Sequence, residues 1–339
     1  MLDSGGCDLM PLNEDAKAAA SAMPEISVVV PCYNCAETIA QTVRSVTGQD
    51  FDDLELILVD DGSADETPAL LQKLAAEDGR IRLHRQSNAG VSAARNQGIR
   101  LCRGRYLLFL DGDDLLAPGL FRLIHEVMTA TPADTLCFLF TRREEELVPV
   151  GQAPGTVEQT AVLPLLERLT FSKRDVSFCN FVYDAQLLKS AGVLFTEGAR
   201  YGEDWEFATK YLAHCSGAYL LKEYGYFYRT VEHSVTRTVG YSQTDAISAA
   251  QRATDYLNAM RHPFADVFAE YMYPRAAFSV AHRFGHSRNR ELFNRLRREY
   301  DMEDVMRRMA RNPHVDVKSK LAAAAWLVSP WLFYLICIV

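Results

Sequence analysis

Three acidic clusters in this 339-residue chain have spacings that suit work on phosphates and hydroxyls. Asp111 and Asp113 flank Gly112 directly after an apolar run. Two carboxylates at i and i+2 repel one another unless a cation lies between or beside them. A hard divalent ion with oxygen ligands fills that role; a solvated Asp-Gly turn is the plainer account. Gly112 also removes a side chain where a phosphate would come close. Asp60 and Asp61, ahead of Gly62-Ser63, offer carboxylates to a base N–H or to ribose hydroxyls, or else form the acidic start of a helix. Glu203-Asp204-Trp205 sets two acids beside an aromatic ring. That grouping suits a general base next to a sugar-stacking platform, or a helix start with a core tryptophan. Arg95 is a cation for diphosphate or base carbonyl oxygens, or a surface arginine. His233 is a metal or phosphate ligand, or a lone structural histidine.

The elements that must position these residues are legible from periodicity. Ile26 to Val30, Leu54 to Val59, Ile81 to His84 and Tyr106 to Leu110 are short apolar, β-branched-rich runs and read as buried strands. Between them, helical spacing appears at Ile39, Val43 and Val46, at Leu70, Leu71 and Leu74 after Pro68, and over Gly90 to Ile99. Strands alternating with helices predict an α/β fold: a mostly parallel sheet flanked by helices, with right-handed crossovers. Ligands of such sheets bind beyond the carboxyl ends of the strands. Pro31-Cys-Tyr33-Asn34, Asp60-Asp61 and Asp111-Gly-Asp113 each follow a strand, so the topology brings them to one edge. Thr141 to Thr160 reads as an excursion or a seam, and Ser242 to Arg311 as charged helices.

Composition narrows the function classes. With 48% hydrophobic residues, the chain buries a real core, and a net charge of −8 argues against a nucleic-acid partner. Eight scattered cysteines suit a reducing compartment. Cys32-x-x-Cys35 reads as two small residues at a strand-to-helix turn. The first 24 residues carry no basic start followed by an apolar block, so a cytoplasmic leader is expected. No G-x-G-x-x-G follows the first strand, which disfavours a dinucleotide-dependent dehydrogenase.

Four stretches carry a resemblance: Ser27-Val-Val-Val-Pro-Cys-Tyr-Asn34, Leu58-Val-Asp-Asp-Gly-Ser-Ala-Asp65, Asn88-Ala-Gly-Val-Ser-Ala-Ala-Arg-Asn96 and Leu110-Asp-Gly-Asp-Asp114. In this order and at these spacings, Ile26 to Asp114 resembles the nucleotide-binding half of family 2 glycosyltransferases, the inverting enzymes of the GT-A fold. Gly202-Glu-Asp-Trp205 resembles their acidic catalytic motif, so the resemblance extends over roughly residues 25 to 235. It implies transfer of a sugar from a nucleotide-diphosphate donor, a UDP-sugar foremost, to a hydroxyl of a saccharide or lipid-linked acceptor, in cell-surface polysaccharide or glycolipid synthesis. It also implies roles: Pro31, Tyr33, Asn34, Asp60, Asp61, Arg95, Asp111 and Gly112 around the nucleotide-sugar, with Tyr33 at the base. Asp111 and Asp113 form the DXD pair for Mg²⁺ or Mn²⁺, with Asp113 the direct ligand and His233 a further candidate. Asp204 is the base and Glu203 orients it.

Two rivals compete. Leu107 to Asp113 also matches the strand-then-D-x-D opening of haloacid-dehalogenase-type phosphatases, although three strands precede it here. A nucleotide-sugar-binding module without activity is the non-enzyme alternative. The expected organisation is a leader (1–24), a nucleotide-sugar-binding half (25–125), an acceptor and catalytic half (126–240), a helical region (241–320) and a hydrophobic tail (321–339). In that tail all but Ser329 and Pro330 are apolar, and Lys318 and Lys320 precede it. It is borderline in length for a bilayer span and broken by Pro330. It reads either as peripheral contact with the inner face of the membrane or as a helix packed on the core.

Overall fold

The computed structural model describes residues 23–338 except 131–132, 154, 172–175 and 231–238. Its centre is a nine-stranded mixed sheet. The strands are β1 (Ile26–Cys32), β2 (Leu54–Asp61), β3 (Ile81–Gln86), β4 (Tyr106–Phe109), β5 (Leu115–Leu116), β6 (Thr135–Thr141), β7 (Val157–Thr160), β8 (Phe181–Asp184) and β9 (Ala218–Phe227). The order is β3-β2-β1-β4-β8-β6-β9-β5, with β7 on β9. β3, β2, β1 and β4 run parallel, as do β6 and β9, while β8 sits antiparallel between β4 and β6.

Every residue of β2 is buried and β1 is nearly so, as expected of parallel strands covered on both faces. The first half carries α1 (Ile39–Thr47), α2 (Thr67–Glu77), α3 (Val91–Leu101) and α4 (Leu120–Ala130). α3 lies so close on β1 that a Cβ at Gly98 would fall 2.2 Å from Val29 Cγ1. One polar residue inside β2 is tolerated because it is fully paired: Glu55 accepts from Ser27 Oγ, from Arg82 and from Arg103.

The expected strand ends hold to within two residues; β3 runs on to Gln86 and β4 stops at Phe109. Thr141 to Thr160 is an excursion: the chain leaves β6 and returns as β7, antiparallel to β9. Two further helices, α5 (Val162–Phe171) and α6 (Ala185–Ser190), precede α7 (Glu203–Leu212).

The C-terminal region is helical throughout: α8 (Asp245–Ala259), α9 (Ala265–His286), α10 (Arg290–Glu299), α11 (Met302–Arg311), α12 (Val317–Val328) and α13 (Pro330–Ile338). It builds a second core around Phe284, Phe293, Met306, Trp326 and Phe333. Trp205 packs against both cores.

The tail is two helices rather than one segment. Asp316 caps α12 by accepting from the Ser319 amide, which starts the helix before Leu321. Ser329 breaks it, and Pro330 opens α13, a position where its missing N–H costs nothing. One side packs inward through Ala323, Trp326, Phe333, Tyr334 and Cys337. Leu321, Leu327, Val328, Trp331, Leu332, Leu335 and Ile336 remain exposed. Among the described residues, no helix is long and apolar enough to cross a membrane.

Candidate active site

The parallel register brings the strand-end residues together. Cys32 lies beside Asp60, and Asp60 and Asp61 lie beside Arg85 and Gln86. The turn after β1 is stitched to the turn after β2. The Asn34 amide donates to Ser63 Oγ at 3.0 Å, and Asn34 Oδ1 accepts from the Ala64 amide at 2.9 Å. Asn34 takes a left-handed conformation (φ 49°), which asparagine tolerates. Tyr33 is left 53% exposed on the lip of this turn, its ring free to lie against a planar base.

The two neighbouring aspartates do different work. Asp61 is consumed by the scaffold: it accepts from Gln86 Nε2 and from the amides of Ala89 and Gly90, which sets the entry to α3. Asp60 accepts from the Ser63 amide through one oxygen, and its other oxygen faces Arg85 Nε at 3.1 Å.

Arg95, on α3, is only 4% exposed, which removes the surface-arginine reading. One Nη donates to Asp111 Oδ1 at 2.8 Å, and the other lies 3.8 Å from Glu203 Oε1. The guanidinium lies 4.3 Å from the Phe178 ring centroid and 5.3 Å from that of Phe195. It therefore joins the acidic turn after β4 to the acidic start of α7. Burial pulls against its charge, and Asp111 and Glu203 hold its pKa above the usual value.

Asp111, Gly112, Asp113 and Asp114 form the turn itself. Gly112 O accepts from Thr38 and Thr42, which ties the turn to α1. Asp114, to which the motif alone gives no distinct role, is the buried carboxylate of the turn. It accepts from Tyr226 Oη at 2.6 Å and from the Arg229 amide at 2.7 Å. Burial, then Asp111 and Asp113, push it up to about 8. Tyr226 also receives the Asp111 amide, and Arg229 Nε donates to Asp113 O. The pairing of Leu116 with Tyr226 puts that hydroxyl under the turn. The only sequence signal for Tyr226 was the Tyr224-Gly-Tyr226-Phe-Tyr228-Arg229 alternation.

Asp113 is half-buried and makes no salt bridge among the described residues. Burial, then Asp111, hold its pKa above the carboxylate norm. An acidic turn short of positive charge, with Asp113 unpaired, fits a hard divalent cation. Among the described residues no group of three or more His, Cys, Asp and Glu closes on one point. Asp111 is already engaged with Arg95, so a cation at Asp113 would draw further oxygens from a ligand. His233 lies outside the described residues.

Gly202 precedes α7 at φ 85°, where a Cβ would fall 2.9 Å from the Trp205 ring. The tight turn presents Glu203 and Asp204 at the helix N-terminus. Burial, then Asp204, push Glu203 up to about 7. Asp204 is also raised by burial, although its Oδ1 accepts from the Trp205 amide at 2.7 Å. A carboxylate pair that holds a proton near neutrality is suited to proton transfer. Cys32 and Cys35 are both free thiols, with Cys32 buried.

Residues 27–191 match the family described as glycosyl transferase family 2. The succinoglycan biosynthesis protein ExoO of Rhizobium meliloti is 30% identical over 246 residues, 68% of each chain. The uncharacterized glycosyltransferase EpsJ of Bacillus subtilis is 30% identical over 221 residues, 63% of each chain, so the match spans just under two thirds of that relative. Among solved structures, residues 1–349 of S. aureus TarS in complex with UDP-GlcNAc share the fold (TM-score 0.69, 19% identity, 93% of this chain and 90% of that one). The strand-end turns, the acidic start of α7 and these similarities lead to one conclusion: the chain belongs to glycosyl transferase family 2.

Proposed function

We propose that this protein is an inverting, metal-assisted glycosyltransferase that moves a sugar from a UDP-sugar to a hydroxyl acceptor in cell-surface polysaccharide or glycolipid synthesis. The observation that carries the reading is the single buried guanidinium of Arg95 joining the Asp111 turn to the Glu203-Asp204 pair. That bridge puts a cation-seeking turn next to a proton acceptor, the two functions a sugar transfer needs. The UDP-sugar is favoured by the UDP-GlcNAc held in the TarS structure of the same fold. A polysaccharide pathway is favoured by the role named for ExoO.

In this reading the base lies against Tyr33 and the ribose near Asp60, whose carboxylate is held by the Ser63 amide and Arg85. Asp61 acts at a distance, by fixing the loop that leads to α3. Asp113, with Asp111 beside it, would hold Mg²⁺ or Mn²⁺, which supplies charge neutralisation for the departing diphosphate. Asp204 takes the proton of the acceptor hydroxyl. The acceptor oxygen forms a bond to the anomeric carbon from one face. The bond to the diphosphate oxygen breaks on the other face, and the electron pair leaves with the nucleotide. Displacement from the opposite face inverts the anomeric centre. Glu203, paired with Arg95, orients Asp204. The haloacid-dehalogenase alternative requires Asp111 as a free nucleophile, whereas Arg95 holds it.

The exposed apolar side of α12 and α13 is assigned to the cytoplasmic face of the membrane. The guanidinium groups of Arg290 and Arg297 lie 5.7 and 5.9 Å from the Trp331 ring centroid, the chemistry of a headgroup layer over an apolar one.

Four outcomes are expected. With a panel of UDP-, dTDP- and GDP-sugars, metal-dependent nucleotide release should appear for wild type. In Asp113→Ala it should fall roughly 10²-fold or more, as a lost transition-state electrostatic contact requires. Full release in excess chelator would contradict the metal assignment. Asp204→Asn should bind donor normally and lose transfer. The base works only when deprotonated, and burial raises its pKa. The wild-type kcat/KM should therefore fall on the acid side at a pH above the ordinary carboxylate range, because burial raises the pKa of Asp204 and of Glu203 beside it. A flat profile down to pH 5 would remove the pair from the chemistry. Finally, the protein should float with anionic vesicles, and Trp331→Ser with Leu335→Ser should stay behind; equal flotation of both would place the contact elsewhere.

A further inference from the structure

A cavity of about 370 Å³ opens beside the proposed base, between the start of α7, the end of α5 and the flank of α9. Asp204, Tyr201 and Trp205 line one side, and Arg275, Ser279 and Arg283 line the other. The last three stand at i, i+4 and i+8 on α9 and so share one face of that helix. Its volume is in the range of small-molecule sites, roughly 300–1,000 Å³.

Among the described residues that line the cavity, Arg275 brings a guanidinium to the wall opposite the Asp204 carboxylate, and Arg283, farther along the same helix face, is already engaged. Arg275 is half-buried, donates to Ser279 Oγ at 3.0 Å, and has no salt bridge among the described residues. The acid that acts on it, Asp316, is occupied in accepting from the amide and hydroxyl of Ser319. Burial depresses the Arg275 pKa, so the site already strains against its charge. A partly desolvated arginine on a cavity wall, without its own carboxylate, is the ordinary recognition group for a phosphate.

We infer that this cavity is the acceptor subsite and that it selects an acceptor bearing a phosphate ester, seated at Arg275 while the attacked hydroxyl lies at Asp204. The inference rests on the glycosyltransferase reading and names the acceptor class for that site. Trp205 would give the acceptor's sugar or polyol a flat apolar wall between the two anchors. The same chemistry serves a lipid-linked glycosyl phosphate and a soluble or polymeric phosphate ester.

The test uses full-length protein saturated with UDP, so that the donor site is filled. Glycerol 1-phosphate is titrated in and followed by the width of its ³¹P resonance, with glycerol as the uncharged control. A second arm presents a polyprenyl phosphate in phosphatidylcholine vesicles. Wild type should bind the phosphate saturably and should ignore glycerol. Arg275→Gln should weaken binding about 10-fold or more, the effect of losing one charge-assisted contact, and Arg275→Lys should restore part of it. Ser279→Glu, at an exposed position, places a carboxylate beside the intact arginine and should abolish binding even if the arginine variants fold poorly. Binding in both arms assigns the site to the phosphate itself, whereas Arg275-dependent binding only in the vesicle arm assigns it to a lipid-linked acceptor. Phosphate binding that is absent in both arms, or unchanged in both Arg275→Gln and Ser279→Glu, overturns the inference. Failure of the glycosyltransferase reading is distinguishable from this: phosphate would still bind, and no sugar nucleotide would be turned over.

Discussion

One buried cation organises this site. Arg95 has lost nearly all its contact with water, and its charge is balanced by Asp111 on one side and Glu203 on the other. These acids come from elements some ninety residues apart in sequence, the turn after β4 and the first turn of α7. A guanidinium withdrawn from solvent is costly unless its partners are held in place. The surroundings hold them: Phe178 and Phe195, edge to face with one another, wall the group on adjoining sides, and Asn96, the next residue, pins the 195–197 loop by bonding Phe195 O and Glu197. The donor-side turn and the proposed base thereby keep a fixed relation.

The same economy explains the rest of the acidic edge. Asp61, Asp114 and Glu55 resemble catalytic candidates by residue type, yet each spends its oxygens on backbone amides, a hydroxyl or arginines of the scaffold. Asp113 and Asp204 have no cationic partner among the described residues, and burial raises the pKa of both, as it does for Glu203 and, despite its hydrogen bonds, for Asp114. Strain of this kind gathers where a ligand is to supply the missing charge or remove a proton. The second core contributes by carrying α9 to the mouth of α7, with Trp205 wedged between the two cores.

Much of this was legible before the structure. The apolar runs of β1, β2 and β4 and the acids after them gave the parallel sheet and its ligand edge, because strand burial writes directly into β-branched composition. The distinction between Asp60 and Asp61 was not legible, since it depends on which face of the chain meets the 88–90 loop. Nor was the burial of Arg95, which sits in a helix whose sequence, Val-Ser-Ala-Ala-Arg-Asn-Gln-Gly, reads as polar; its aromatic partners Phe178 and Phe195 are far off in sequence. The role of Asp114 is not legible from its motif, because its partner Tyr226 arrives through the pairing of β5 with β9. In the tail, Pro330 reads in the sequence as a break inside one segment, whereas Asp316 caps a helix that ends at Val328 and Pro330 opens the next.

The central claim, that Arg95 is the electrostatic tie between the two halves of the site, is tested most directly by a double-mutant cycle of Arg95→Met and Asp111→Asn. It is read by urea unfolding in the presence of chelator, so that only the protein's own charges count. Removing the arginine alone leaves acids facing one another in a desolvated pocket and should cost about 3–5 kcal/mol. Adding Asp111→Asn should recover part of that cost, with a coupling of roughly 1 kcal/mol or more. Effects that add to within about 0.5 kcal/mol would show that the two residues do not depend on one another, and would contradict the account.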